Sequence, residues 1–225
     1  MFNFSNNPNF RYHDSEETMP SRCLQQVALT AMLLFAGLRG QSQAKSINDD
    51  MLQIPSGPAV TLDGIISSGE WDHAVRAEIS VTKDWVVTVL AQHDDKNLYV
   101  AFTGLDQRRG ATERYPEVLL DTRNDKTLFW KPGQWWLHAS YNLCESNGHP
   151  DDYSTCRPTQ SGWNANRFPL KGVSEFVISL DKLSLSTGKP FGIAFDVTDT
   201  HGQWNFWPST AKNKVPMSWQ KAQLQ

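Results

Sequence analysis

Nine tryptophans stand in a chain of 225 residues, several times what a core of that size needs. An indole can fill a core, or it can face outward as a flat platform. Four of the nine are platform candidates: Trp136 inside a strand-like run, and Trp163, Trp204 and Trp207 in turn-rich stretches. Around Trp136 the residue pattern gathers polar groups. From Trp135 to Leu143 the odd positions Trp135, Leu137, Ala139, Tyr141 and Leu143 are apolar. The even positions Trp136, His138, Ser140 and Asn142 therefore share the opposite face, because successive strand side chains alternate. By the same rule Glu117, Leu119 and Asp121 point away from Val118 and Leu120. Gly192, Ala194, Asp196 and Thr198 point away from Phe191, Ile193, Phe195 and Val197. If these runs are neighbours, one outer face carries an aromatic plane, an imidazole, an amide and several carboxylates, with small residues where a ligand could approach. That chemistry suits a ring with C–H patches on its faces and hydroxyls on its rim, which is a sugar. Against this, Trp136 could equally cover the sheet beneath a loop, and Trp163, Trp204 and Trp207 could be loop anchors.

Other chemistry is thinner. Asp121, Asn124 and Asp125 cluster oxygens in one turn, enough for part of a calcium shell of six to eight ligands or for a solvated acidic turn. Asp196, Asp199 and Asn205 form a second such cluster. Glycoside hydrolysis would need paired acids, Glu117 with Asp121 or Glu145 with Asp196, at about 5 Å or about 6.5–9.5 Å. No G-x-S-x-G, Walker loop or H-E-x-x-H is present. Net charge is −3 with acids and bases interspersed. No basic block exists to condense on phosphates, which argues against nucleic acid as the main partner.

The elements that must position these groups are short period-2 runs between turn signals, with no long helical period. The runs are 77–81, 85–90, 97–102, 117–121, 134–144, 174–180, 191–199 and a weaker one near 219–224. Only 69–75 reads as a helical turn, with Trp71 as its core anchor. This predicts an all-β fold: a two-sheet antiparallel sandwich of the immunoglobulin-like or jelly-roll type.

The stretch Cys23 to Leu38 is the only sustained apolar run, and its strongest part, Val27 to Leu38, is too short to span a bilayer. Arg22 precedes it and Ser42-Gln43-Ala44 follows as a small-x-small exit, the pattern of a secretory leader. We therefore expect a signal peptide within 1–44, with translation starting at Met19, a short linker over 45–58 and a sandwich over 59–225. The mature chain would be secreted or periplasmic, with no stable membrane span after leader removal. It would keep Cys144 and Cys156, an even pair in an oxidising compartment. Bridging them would staple one loop and stabilise by about 3 kcal/mol. The competing reading is metal ligation with His138 and His149, without the paired spacing of a zinc site.

Several motifs in order resemble the family 9 carbohydrate-binding modules. Thr61-Leu62-Asp63-Gly64, Gly69-Glu70-Trp71 with Ala74, and Asn97 to Phe102 look like the opening of that family. Glu117 to Asp121, Glu175 to Leu180 with Leu183, Phe191 to Asp199, and Trp207-Pro208 resemble its later landmarks, with Ser179 where proline is commoner. The resemblance covers roughly 59–224. It implies a β-sandwich of the DOMON-like group that holds an oligo- or polysaccharide end between tryptophans, with calcium ions bracing its loops. It implies a non-catalytic role, and an association with carbohydrate catabolism through the larger hydrolases that carry such modules. The stretch Trp135 to Glu145 departs from the family pattern. Some DOMON-like relatives hold haem through Met, His or Lys; here Met51 and Met217 are the only methionines past the leader.

Overall fold

The computed structural model describes residues 51–105, 116–139, 144–149, 152–155, 161–166, 172–199 and 201–225, with backbone alone for 144–149 and 152–155. In chain order the strands are β1 (Leu52–Ile54), β2 (Val75–Thr82), β3 (Trp85–His93), β4 (Asn97–Thr103), β5 (Pro116–Asp121) and β6 (Gln134–Ala139). They continue as β7 (Cys144–His149), β8 (Asp152–Thr155), β9 (Trp163–Ala165), β10 (Val173–Ser179), β11 (Pro190–Thr198), β12 (Trp204–Trp207) and β13 (Gln220–Leu224). One sheet, here sheet A, runs β1-β13-β11-β5-β6-β7-β8, with β12 also paired to β11. The other, sheet B, runs β2-β3-β4-β10-β9. All pairings are antiparallel except β1 with β13. The two-sheet, all-β sandwich expected from the alternation is the fold observed.

The space between the sheets is filled by the predicted inward rows. Phe102, Phe176 and Phe195 are fully buried, with ring centroids 5.7 Å and 6.0 Å apart for Phe102 with Phe176 and with Phe195. Each such ring contributes about 1.5–3 kcal/mol by leaving water. Trp163 stacks on Phe176 at 5.9 Å and Trp207 on Phe195 at 5.5 Å.

Three expectations about the elements need correcting. The run 134–144 is not one strand: β6 ends at Ala139, and β7 returns beside it with Ala139 opposite Cys144. Alternation continues through a hairpin without marking it, so the sequence showed no break there. The helical turn expected at 69–75 is one turn, Ala74 N–H onto Trp71 C=O at 3.0 Å, and it is shorter than expected because Val75 already begins β2. Residues 52–57, read as linker, are built into the sandwich through β1 and a bridge from Ser56 to His93.

The outer face of sheet B around β4 and β10 is covered by the segment 58–74. Trp71 is buried there against Tyr99 and Ala101, with Val60 and Ala74 beside it. The segment is pinned by Gln92, which donates to the C=O groups of Pro58 (2.8 Å) and Glu70 (2.9 Å). A second pin is Glu175, whose Oε2 accepts the Gly64 N–H at 2.7 Å. Gly64 has φ +76°, a left-handed turn that suits glycine and aims its N–H at the sheet. Two of the sequence motifs, Thr61 to Gly64 and Glu175 to Leu180, thus meet in one contact. Burial pushes the Glu175 carboxyl up to about 7; the charges of Asp63 and Glu70 add to this, and the Gly64 N–H opposes it.

A carboxyl raised in the folded state binds its proton more tightly there than in the unfolded chain, so stability should fall as pH rises from about 4.5 to about 7. Glu175→Gln keeps an acceptor for Gly64 and removes the titration. Urea unfolding at pH 5 and pH 8 should show the variant losing less between the two than wild type, by about 1–3 kcal/mol. An unchanged pH slope contradicts this assignment.

Candidate functional site

The three runs expected to carry polar groups outward are adjacent in sheet A. Asp196 on β11 lies opposite Glu117 on β5, and Glu117 lies opposite His138 on β6. On the other side Phe206 of β12 faces Asp196, so one row crosses the sheet as Phe206, Asp196, Glu117, His138. Directly opposite residues present their side chains on the same face. Trp204 lies opposite Thr198 at the end of β12, on that same outer face. Trp136 stands beside the row, its ring 5.0 Å from the His138 ring.

The row is not a shallow open surface. Glu117, His138 and Asp196 are all buried, as are Asp121 and Thr198. Two loop segments cover much of the face: Trp130 from the β5–β6 loop, and Ala211 and Trp219 from the segment before β13, pack on Leu119 and Ala194. Trp136 and Phe206 join that cluster. The small residue at 192 leaves no room for a ligand either, since a Cβ there would lie 3.0 Å from the Asp121 Cβ. Alternation reports which face a residue takes, but not what later segments lie over that face.

Electrostatics within the row follow from burial. His138 Nδ1 donates to Glu117 Oε1 at 2.9 Å. Burial holds the Asp196 carboxyl well above the usual range, and the Glu117 charge and a hydrogen bond to it add to the effect. Both Asp196 oxygens and Glu117 Oε2 otherwise lack protein partners. A proton on Asp196 supplies the donor that two bare carboxylates would lack.

The acid pairs considered for hydrolysis do not assemble. Glu117 and Asp121 are four residues apart on one strand, about 13 Å. Glu145 stands three strand spacings from Asp196, about 14 Å, since β5 and β6 lie between β11 and β7. The pair that does form, Glu117 with Asp196, is buried side by side, with the Asp196 carboxyl raised by that burial and by the Glu117 charge. That arrangement does not flank a bond with one acid on each side.

The other candidates separate. Trp163, expected in a loop, belongs to β9, is 1 % exposed and stacks in the core, so it offers no face to a ligand. Trp207 is also turned inward, onto Phe195. Trp204 is 54 % exposed. Asn142 and Cys156 lie outside the described residues, as does any bridge from Cys144 to Cys156. In the Asp121 turn, Asp121 Oδ2 accepts the Lys126 N–H at 2.9 Å, and Asp125 pairs with Arg123 at 3.1 Å. Asn124 Oδ1 is buried beside them without a partner. In the second cluster, Asp199 Oδ1 accepts the N–H groups of His201 and Gln203, while Asn205 donates to Val197 C=O. Among the described residues no three His, Cys, Asp or Glu gather as a metal-binding group. Met217, weighed as a haem ligand, is half-exposed on a surface turn (Pro216–Ser218).

Sequence reasoning missed two groups on this face. Phe206 is legible in principle, because Trp204-Asn205-Phe206-Trp207 alternates, but its glycine and proline neighbours make the run look like a loop. Lys214, whose Nζ lies 5.6 Å over the Trp136 ring, left no local signal.

Comparison with solved structures gives a likeness to a carbohydrate-binding module family 9 (CBM9) from Caldicellulosiruptor kristjanssonii. In its complex with cellotriose the TM-score is 0.55 at 16% identity, covering 78% of this chain and 93% of that one. The fold is shared with that module. In the complex of the same module with glucose the TM-score is 0.53 at 16% identity, covering 77% and 95%. No protein-family model and no curated protein matches the chain.

Two substitutions test this geometry. Trp163→Ala should destabilise by about 3–5 kcal/mol, as expected for an emptied core site, read from a denaturant midpoint. Asp196→Asn replaces a protonated acid by a neutral isostere and should unfold no earlier than wild type at pH 7. A clear loss of thermal stability in that variant would mean Asp196 is needed as an anion.

Proposed function

We propose that this chain binds carbohydrate without altering it chemically, at the outer face of sheet A around Trp204. The observation that carries the reading is the exposed Trp204 indole, two residues along β12 from Phe206 on the face that holds the row Phe206, Asp196, Glu117, His138. An indole face meets the C–H patches of a sugar, and such contacts need little reorganisation from a ring held on a strand. Trp136 and Lys214 extend the same face, the lysine able to reach sugar hydroxyls from over the ring. Glu117, His138 and Asp196 fix the floor, since their hydrogen bonds lock the rotamers beneath the aromatic groups. The shared fold with a module solved in complex with cellotriose and glucose supports β-linked glucans as the first ligands to try. On the same reading the chain is exported by the leader-like run before Ala44 and works beside polysaccharide-degrading enzymes.

Affinity electrophoresis and titration calorimetry against cello-oligosaccharides and a panel of soluble polysaccharides test the proposal. Binding without release of reducing ends is the expected result. Trp204→Ala should weaken it at least tenfold while shifting stability by no more than about 0.5 kcal/mol, because the ring is largely outside the core. Full affinity in Trp204→Ala, or reducing-end release by the wild type, overturns the reading.

A further inference from the structure

The two loop segments over sheet A form a projection of their own. Met217 N–H donates to Thr127 C=O at 2.9 Å, Lys126 Nζ donates to Trp219 C=O, and the Trp130 and Trp219 rings meet edge-on at 6.1 Å. These bonds knit 126–131 to 212–219, with Trp219 buried and Trp130 partly so on the sheet side. On the solvent side the same unit raises three apolar side chains: Phe129 is 78 % exposed, Leu128 59 % and Met217 50 %. Leu128 and Phe129 are consecutive and the Met217–Thr127 bond brings Met217 near them, so the unit raises one apolar knob, and soluble surfaces rarely raise neighbouring apolar side chains without a use.

Apart from Asp125, which is paired with Arg123 at 3.1 Å, the charge along the segments that build the knob is one-sided. Residues 126–139 and 201–225 contain Lys126, Lys131, Lys212, Lys214 and Lys221 and no Asp or Glu, although the whole chain has a net charge of −3. Lys131, Lys212 and Lys214 are exposed. Lys212 is tied to the knob by its own N–H, which donates to Ser218 Oγ at 2.9 Å, and Lys131 follows Phe129 by two residues.

We propose that this knob docks on an anionic lipid bilayer. Insertion of exposed aromatic and aliphatic side chains at the headgroup level, with lysines around them attracting anionic headgroups, is how peripheral proteins hold a membrane surface. The shape favours lipid over glycan, because Leu128 and Met217 have no flat face for a sugar ring to stack on. The exposed Lys131, Lys212 and Lys214 beside the knob favour an anionic surface over a purely apolar protein groove. The proposal is independent of sugar binding, which rests on Trp204.

The test is co-sedimentation of the full chain with vesicles of 7:3 phosphatidylcholine and phosphatidylglycerol, with pure phosphatidylcholine vesicles, and separately with soluble polygalacturonate. The apolar stretch Val27–Leu38 is common to every variant, so differences between variants report the knob. Wild type should bind the anionic vesicles, with a blue shift in tryptophan emission, and should release in 0.5 M salt. Leu128→Ser with Phe129→Ser, and separately Lys131→Glu with Lys212→Glu, should each lower the partition coefficient at least tenfold. Near-UV circular dichroism should be unchanged, because all four positions are exposed. Vesicle binding equal to wild type in both variants overturns the proposal, as does equal binding to neutral and anionic vesicles. Loss of polygalacturonate binding with vesicle binding intact assigns the knob to an acidic glycan and overturns it too.

Discussion

Two carboxyl groups can lie side by side inside a protein only if one of them keeps its proton. Asp196 and Glu117 lie opposite each other on adjacent strands of sheet A, where burial and the Glu117 charge hold the Asp196 carboxyl well above its usual range. The His138 ring ties Glu117 from the far side, Phe206 closes the row at Asp196, and the tryptophan-bearing loops roof the adjoining apolar positions. Each exclusion of water raises the cost of a second charge, so the cover over this face and the raised Asp196 carboxyl go together. A rigid polar floor of this kind orients aromatic groups without itself reaching solvent.

Sheet B repeats the same solution with different parts. Its outer face also holds one buried acid, Glu175, and is also roofed by an irregular segment anchored through a tryptophan, Trp71. Both sheets are therefore covered on part of their outer sides as well as on their inner sides, sheet B over β4 and β10 while the outward residues of β2 stay exposed. This explains why β4, β5 and β11 are buried almost without interruption although β5 carries Glu117 and Asp121 and β11 carries Asp196 and Thr198. Polar residues in such strands face a second, thinner interior.

That double covering separates what the sequence disclosed from what it did not. Strand positions and inward rows were readable because a two-residue period maps directly onto pleated backbone: Val118, Leu120, Phe191, Ile193, Phe195 and Val197 all point inward as expected. The adjacency of Glu117, His138 and Asp196 followed once neighbouring strands were assumed. Their burial was not readable, because the groups that cover this face, Trp130 and Trp219, come from segments with no periodicity. Trp163 was misplaced for a related reason. A three-residue strand among glycines and asparagines looks like a loop until its partner, β10, is known. Lys214 reaches Trp136 only through a chain reversal that no local spacing encodes.

The pairing of β13 has a kinetic side. This strand inserts between β11 and β1, so Leu52 meets Ala222 across almost the full length of the sandwich sequence. Until the C-terminal strand arrives, β1 lacks its ladder partner and the lower half of β11 presents unpaired backbone groups. Contacts between such distant residues carry a large loop-closure entropy and slow the search for the native topology. The early collapsed chain would then expose a sticky edge at β11, and survival of that interval would depend on how quickly its last strand seals it.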